Sequence, residues 1–430
     1  MRSIRIMTYR IKSLGRFFVY LERPIKLYAI EGIIIAFVVN LIVNNNNLFA
    51  TRLGADDFHL GLVSMLPQLV NMVVLIPAAI LTDSLKTKRK MVIFSIGLTG
   101  IIYFAIGFVP MFQLRLAAFI GLLALSGGTM TIYNLSWQSF FPEVIPIEKR
   151  NKTLTIKTYM SLFISIITPL LTGAILSRLS TNELKIMTHQ VFFFCGSLLI
   201  AIQIIVLRRM TSVSAPKAPS VGFNELKEAC VGLIRNKAFV FFACVAWFFY
   251  IAWHMDWTLF FIGQTKYLKL NETQLGIVIA AGTLAQFLTL RFWSRMNERK
   301  GVVYTLTFGL FGLSLVPLAM ITATILPVSI NKPVFILFHT IVSLSLAAIQ
   351  LNPFQCLLEV LDEKYKTISI SIFTVLTCLS NAVMPFTGVM LYRAFGGDLK
   401  ALHNTLWIVF VLRLFAGLLW LLRWKVISKK

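Results

Sequence analysis

Ala79-Ile80-Leu81-Thr82-Asp83-Ser84-Leu85-Lys86-Thr87-Lys88-Arg89-Lys90 joins two long apolar runs. A related stretch, Ser294-Arg295-Met296-Asn297-Glu298-Arg299-Lys300-Gly301, joins two more. Asp83 and Glu298 are 215 positions apart, half of the 430-residue chain. Three other landmarks keep the same register. Leu60-Gly61-Leu62-Val63 returns as Leu275-Gly276-Ile277-Val278, and Glu143 returns as Glu359. Pro169-Leu170-Leu171-Thr172-Gly173 returns one residue shorter as Pro385-Phe386-Thr387-Gly388. Four landmarks at offsets of 215 or 216 imply a tandem duplication.

What surrounds these stretches is apolar. Hydrophobic residues make up 57% of the chain and charged residues 13%, against about 25% charged in a soluble domain. The chain therefore reads as an all-α integral membrane protein. Its net charge of +24 does not mark a nucleic-acid partner, because Lys and Arg collect in the short connectors, the positive-inside pattern. Five scattered cysteines have no metal or disulfide spacing. No cofactor or metal is expected.

Twelve runs are long enough to span a bilayer, which takes about 20 apolar residues. They are spans 1 to 12: 27–52, 58–82, 91–110, 114–140, 153–178, 187–207, 238–263, 272–294, 302–326, 333–358, 367–392 and 401–422. With the N-terminus inside, thirty Lys and Arg fall on the inner side and nine on the outer. Both termini are thus expected in the cytoplasm. The expected domains are a basic amphipathic segment (1–26), a six-helix half (27–207), a linker (208–237), a second half (238–422) and a short tail (423–430). Six spans per half keep the halves parallel, about a pseudo-two-fold axis along the membrane normal.

Along its whole length this pattern resembles the major facilitator superfamily. That family's loop between spans 2 and 3 reads Gly-x-x-x-Asp-Arg-x-Gly-Arg-Arg/Lys. Asp83 and Lys88 match it, and in the second copy Glu298, Arg299 and Gly301 match. Ala79, Ser84 and Lys86 depart from it. Pro142-Glu143-x-x-Pro146-x-x-Lys149-Arg150 is similar to the family's loop after span 4. The resemblance implies a cytoplasmic gate in which Asp83, Lys88, Glu143, Arg150, Glu298, Arg299 and Glu359 form and break charge pairs as two rigid halves rock. It also implies a central cavity lined by spans 1, 4, 7 and 10.

Polar side chains inside a bilayer are costly and mark function or helix packing. The candidate substrate-binding residues are Asn40, Asn44, Gln68, Asn134, Trp137, Gln138, Trp247, His254, Trp257, Asn352, Gln355 and Asn381. Asp256, His254 and Glu31 are the candidates for proton coupling, since a buried carboxylate or imidazole can titrate near neutral pH. Glu31 has Lys26 as a nearby alternative partner. Arg413 sits in mid-span 12 with no partner apparent in the sequence.

The function expected is secondary transport of a small neutral or amphipathic solute across the cytoplasmic membrane, by a monomer embedded in lipid. No phosphate-binding Gly-x-x-x-x-Gly-Lys-Ser/Thr loop points to ATP. A lipid flippase or a transporter-like sensor is the alternative on the same fold. A membrane transferase would need a catalytic motif that the five separated histidines do not supply.

Overall fold

The computed structural model describes residues 21–85, 87–211, 231–360 and 366–427, with the side chains of Asp83, Ser84, Asn151, Leu351, Ser371, Ile427 and 366–369 left aside. The amphipathic segment expected over residues 1–26 therefore lies mostly outside the described residues, as does 212–230 of the linker.

Among the described residues every regular element is helical. Eleven helices are long and apolar enough to span a membrane: Arg23–Arg52, Asp57–Thr82, Lys88–Met111, Arg115–Val144, Ile147–Ser177, Asn182–Arg208, Lys237–Tyr267, Glu272–Lys300, Val302–Ile325, Ile372–Ala394 and Leu399–Val426. The pair Val328–Ser343 and Leu346–Leu358, bent by 43°, completes twelve as span 10. Several helices outrun the apolar runs that predict them. Span 5 begins at Ile147 rather than 153, because its basic first turns stay helical beyond the apolar stretch.

Four spans are interrupted, and in three of them a side chain donates to a carbonyl at the break. Within a bilayer each such group must find a partner in the protein. In span 1 a 3₁₀ turn runs from Val43 to Asn45, and the Asn45 amide donates to the Leu41 carbonyl at 2.9 Å. Span 7 breaks between His254 and Trp257. Span 9 breaks at Leu315, just before Pro317. Proline lacks an N–H, so the Leu313 carbonyl loses its helical donor. Arg413 serves both of these breaks. Its guanidinium donates to the carbonyls of Ala252 (3.2 Å), Trp253 (2.9 Å) and Leu313 (3.3 Å).

Within the first half, span 4 packs on spans 2 and 3, and span 1 on spans 5 and 6. Spans 9 and 12 pair in the second half. The halves meet along two seams, span 2 against span 11 and span 5 against span 8. The second seam is a backbone contact. A Cβ on Gly173 would stand 2.4 Å from the Glu272 carbonyl oxygen, and one on Gly276 would stand 2.3 Å from that of Pro169. Only glycine lets the two helices approach this closely.

Candidate transport site

Twelve spans place residues 21 and 427 on one face of the bundle, here the terminal face. The opposite, far face is closed by ion pairs between the halves. Glu272 accepts from Arg52 and from Lys185, each at 2.6 Å. Lys266 donates to Asp57 at 3.0 Å. Each acid sits in the first turn of a helix, where the dipole favours negative charge, and Arg52 and Lys266 sit in last turns, where it favours positive charge. An Asn271–Gln274 capping box fixes the start of span 8 and so the position of Glu272. Asp57 and Glu272 are 215 positions apart, the repeat offset, so each half lends one acid to the other, the first half adding two bases and the second one. Ser177–Thr273 (2.6 Å) and Ser64–Thr258 (2.8 Å) add neutral bonds across the same end.

The terminal face has no such ion pair among the described residues. Along a straight helix 18 residues make five full turns and return to the same azimuth. Phe58 packs on Phe386 of span 11 at the far face; Ile76, five turns along the same face, is 46% exposed. Gly173 and Gly276 touch across the other seam, whereas Thr155 and Ser294, five turns away, are exposed. Every described hydrogen bond and ion pair between the halves lies in the far half of the bundle. The polar bonds between the halves thus gather at the far face, while a Tyr159–Phe287 ring contact joins spans 5 and 8 nearer the terminal face.

Span 4 has two unlike sides. Leu125 is exposed on one side of the helix; Asn134 and Gln138 are exposed nine and thirteen residues on. Nine residues turn 900°, so Asn134 points opposite to Leu125. The apolar side fits lipid and the amide side fits water.

Behind this wall lies a charged cluster within the first half. Glu31 is fully buried and accepts from Lys157 Nζ (2.8 Å), from Gln203 (3.2 Å) and from the Tyr133 hydroxyl. The partner is Lys157 of span 5, not the nearby Lys26. Lys157 Nζ also sits 3.4 Å over the Trp137 ring, a cation–π contact. The second half holds a counterpart. Asp256 Oδ1 accepts from Arg413 at 2.5 Å, with both side chains buried. Asp256 Oδ2 has no hydrogen-bond partner among the described residues. His254 is buried beside Asp256 but faces span 11, 3.3 Å from Ser380 Oγ, with its ring 4.6 Å from that of Trp257. The two groups diverge, as their spacing predicts.

The other expected residues divide between packing and exposure. Asn40 ties span 1 to span 5 through Ser165 (2.9 Å) and accepts from Asn44 (2.8 Å). Asn44 is exposed and borders a hollow of about 50 Å³ under the far latch, with Thr172, Gln264 and Glu272. Asn352 accepts from Asn297 at 2.7 Å, joining spans 8 and 10. Gln68 accepts from Asn71 at 3.1 Å. Trp247 and Trp257 are 36% and 44% exposed, Gln355 is exposed and Asn381 is half-buried.

At the terminal face Lys88 donates to the carbonyls of Thr82 (2.6 Å) and Leu85 (3.2 Å), and Arg150 to those of Ile145 and Pro142. Glu143 is buried. Glu298, Arg299 and Glu359 are exposed and make no ion pair among the described residues. The Asp83 side chain lies outside the described residues. Sequence reasoning missed Lys157 and the whole far latch, although Asp57 and Glu272 share the 215-residue register of the other landmarks.

The profile of the Major Facilitator Superfamily matches residues 28–267, more than half of the chain. The chain belongs to the Major Facilitator Superfamily. Comparison with curated protein sequences finds no match. Solved structures share the superfamily fold at low identity. The nucleoside transporter NupG (D323A mutant) has a TM-score of 0.73 at 11% identity, covering 93% of this chain and 99% of its own. A D-xylose–proton symporter has a TM-score of 0.70 at 12% identity, with 93% and 96% covered. A bacterial homologue of the human lysosomal transporter Spinster, in an inward-facing and unoccupied conformation, has a TM-score of 0.65 at 12% identity, with 95% and 96% covered. Superfamily membership makes the chain a transporter by fold, and the far latch joins the two halves of that fold.

Proposed function

We propose that this protein moves a small neutral or amphipathic solute across the cytoplasmic membrane by alternating access, coupled to a proton gradient. The observation that carries the reading is the asymmetry of the two ends: the far face is latched by exchanged ion pairs, while the terminal face has none between the halves among the described residues. The positive-inside bias makes the terminal face cytoplasmic, so this conformation faces inward. In the opposite conformation Asp83, Lys88, Glu143, Arg150, Glu298, Arg299 and Glu359 close the cytoplasmic end as the far latch parts. Asn134, Gln138, Gln355 and Trp257 border the substrate path. Glu31–Lys157 and Asp256–Arg413 are the buried pairs able to couple a proton to the swing, since breaking such a pair uncovers a charge that must be neutralised.

Flux into proteoliposomes tests this. With an imposed pH gradient, at least one solute from a metabolite and drug panel should accumulate, and Asp83→Lys should abolish it. A panel in which nothing moves, with or without the gradient, refutes secondary transport; lipid scrambling instead would favour the flippase alternative.

A further inference from the structure

The peripheral spans 3 and 6 carry a feature that transport does not use. At the terminal face a hollow of about 550 Å³ is lined by Arg89, Lys90, Ile93, Phe94 and Arg208. Arg89 and Lys90 lie in the first turn of span 3, and Arg208 ends span 6. None of the three cations has an ion-pair partner among the described residues. Arg89 is held in place by a 2.9 Å bond from one guanidinium nitrogen to the Met210 carbonyl. The helix start is itself short of negative charge: Thr87 makes no side-chain cap and the first turn contains no acid. Basic side chains at a helix N-terminus run against the dipole, and both dipole and side chains call for an anion.

Below the hollow the surface changes character. Spans 3 and 6 approach closely where Gly97 and Gly100 meet Ile204 and Ile200. Flanking this seam, Phe94, Ile101 and Phe104 of span 3 are 63%, 67% and 52% exposed, and Leu198, Ile202 and Ile205 of span 6 are 64%, 43% and 52% exposed. Neither span takes part in the seams between the halves, so this apolar strip faces the bilayer. Cations at the headgroup level above an apolar groove match one amphiphile, with its charge at the top and its chains below.

We propose that this pocket is a binding site for an anionic phospholipid of the leaflet at the terminal face. The phosphate sits among Arg89, Lys90 and Arg208 against the start of span 3, and an acyl chain lies along Phe94 and the spans 3–6 seam. General positive-inside attraction accounts for the sign of these charges but not for their convergence on one hollow over one groove.

The test is binding of phosphatidylglycerol to the purified full chain, measured by native mass spectrometry and by the melting shift in nanodiscs of phosphatidylglycerol against phosphatidylcholine. Phosphatidylglycerol should raise Tm and remain bound. Arg89→Gln with Arg208→Gln should weaken it about thirtyfold, at the usual worth of two basic residues at an anionic surface. Lys152→Gln, an exposed cation on the same face outside the pocket, should leave it unchanged. Equal loss in both variants, or an equal shift with phosphatidylcholine, would overturn the proposal. A full shift from inorganic phosphate alone would also overturn it, leaving an anion site without a lipid. A phosphatidylglycerol shift undiminished in the double variant overturns the assignment to these residues.

Discussion

Glu272→Gln should release the far face. In the closed end one carboxylate, 8% exposed, answers two cations, Arg52 at 29% and Lys185 at 16% exposure, each at 2.6 Å. Exposed pairs contribute about 0.2–1 kcal/mol, and breaking a fully buried pair costs about 3–5 kcal/mol. These half-buried pairs fall between, at about 1.5 kcal/mol each by that interpolation. Losing both shifts the ratio of far-closed to far-open states by about a hundredfold, at about 1.4 kcal/mol per decade. Asp57→Asn removes a single pair whose partners are 25% and 45% exposed, so its effect should be only a few-fold. Spin labels at Glu183→Cys and Lys400→Cys, in a background without native cysteines, report the far-face separation by pulsed dipolar spectroscopy. Glu272→Gln should move most of the population to a longer distance, and Asp57→Asn a minor fraction. Equal effects, or an unchanged distribution in both, would refute the claim that these charges hold the far end shut.

Two further outcomes follow from geometry. Arg413→Met should lower the thermal unfolding temperature more than Asp256→Asn, because the arginine serves three broken-helix carbonyls in addition to the carboxylate; at about 1 kcal/mol or more per unsatisfied group the gap should be several degrees, and a reversed order would sink this account. Gly276→Val should abolish flux while the protein still folds, since its Cβ would stand 2.3 Å from the Pro169 carbonyl oxygen only when the far end is closed; normal flux would show that the seam need not form.

Much of the architecture was legible because it rests on local signals. Apolar runs marked the spans, and the return of Leu60-Gly61 as Leu275-Gly276 marked the halves. The site was less legible, because its pairings are distant. Glu31 finds Lys157 126 positions away rather than the neighbouring Lys26, and Asp256 finds Arg413 157 positions away. Hydropathy placed Arg413 in the bilayer but carried no hint that Pro317 strips the Leu313 carbonyl of its donor. Asn40 and Asn352 read as cavity groups, yet each also holds two helices together, a use that only packing reveals. The far latch pairs Arg52 with Glu272 220 positions away and Asp57 with Lys266 209 positions away, so no local pattern announces it. Asp57 to Asp83 and Glu272 to Glu298 are both 26 residues, so spans 2 and 8 each carry an acid at either end.

The exchange of charges at the far face has the form of an isologous contact: acid of one unit to base of its mate, and the reverse. A single six-span chain bearing Asp57 and Arg52 already holds both members of that handshake. Two copies of such a unit, related by a rotation about the bilayer normal, would clasp through it twice, so one polypeptide here holds a contact with the form of a two-fold dimer interface.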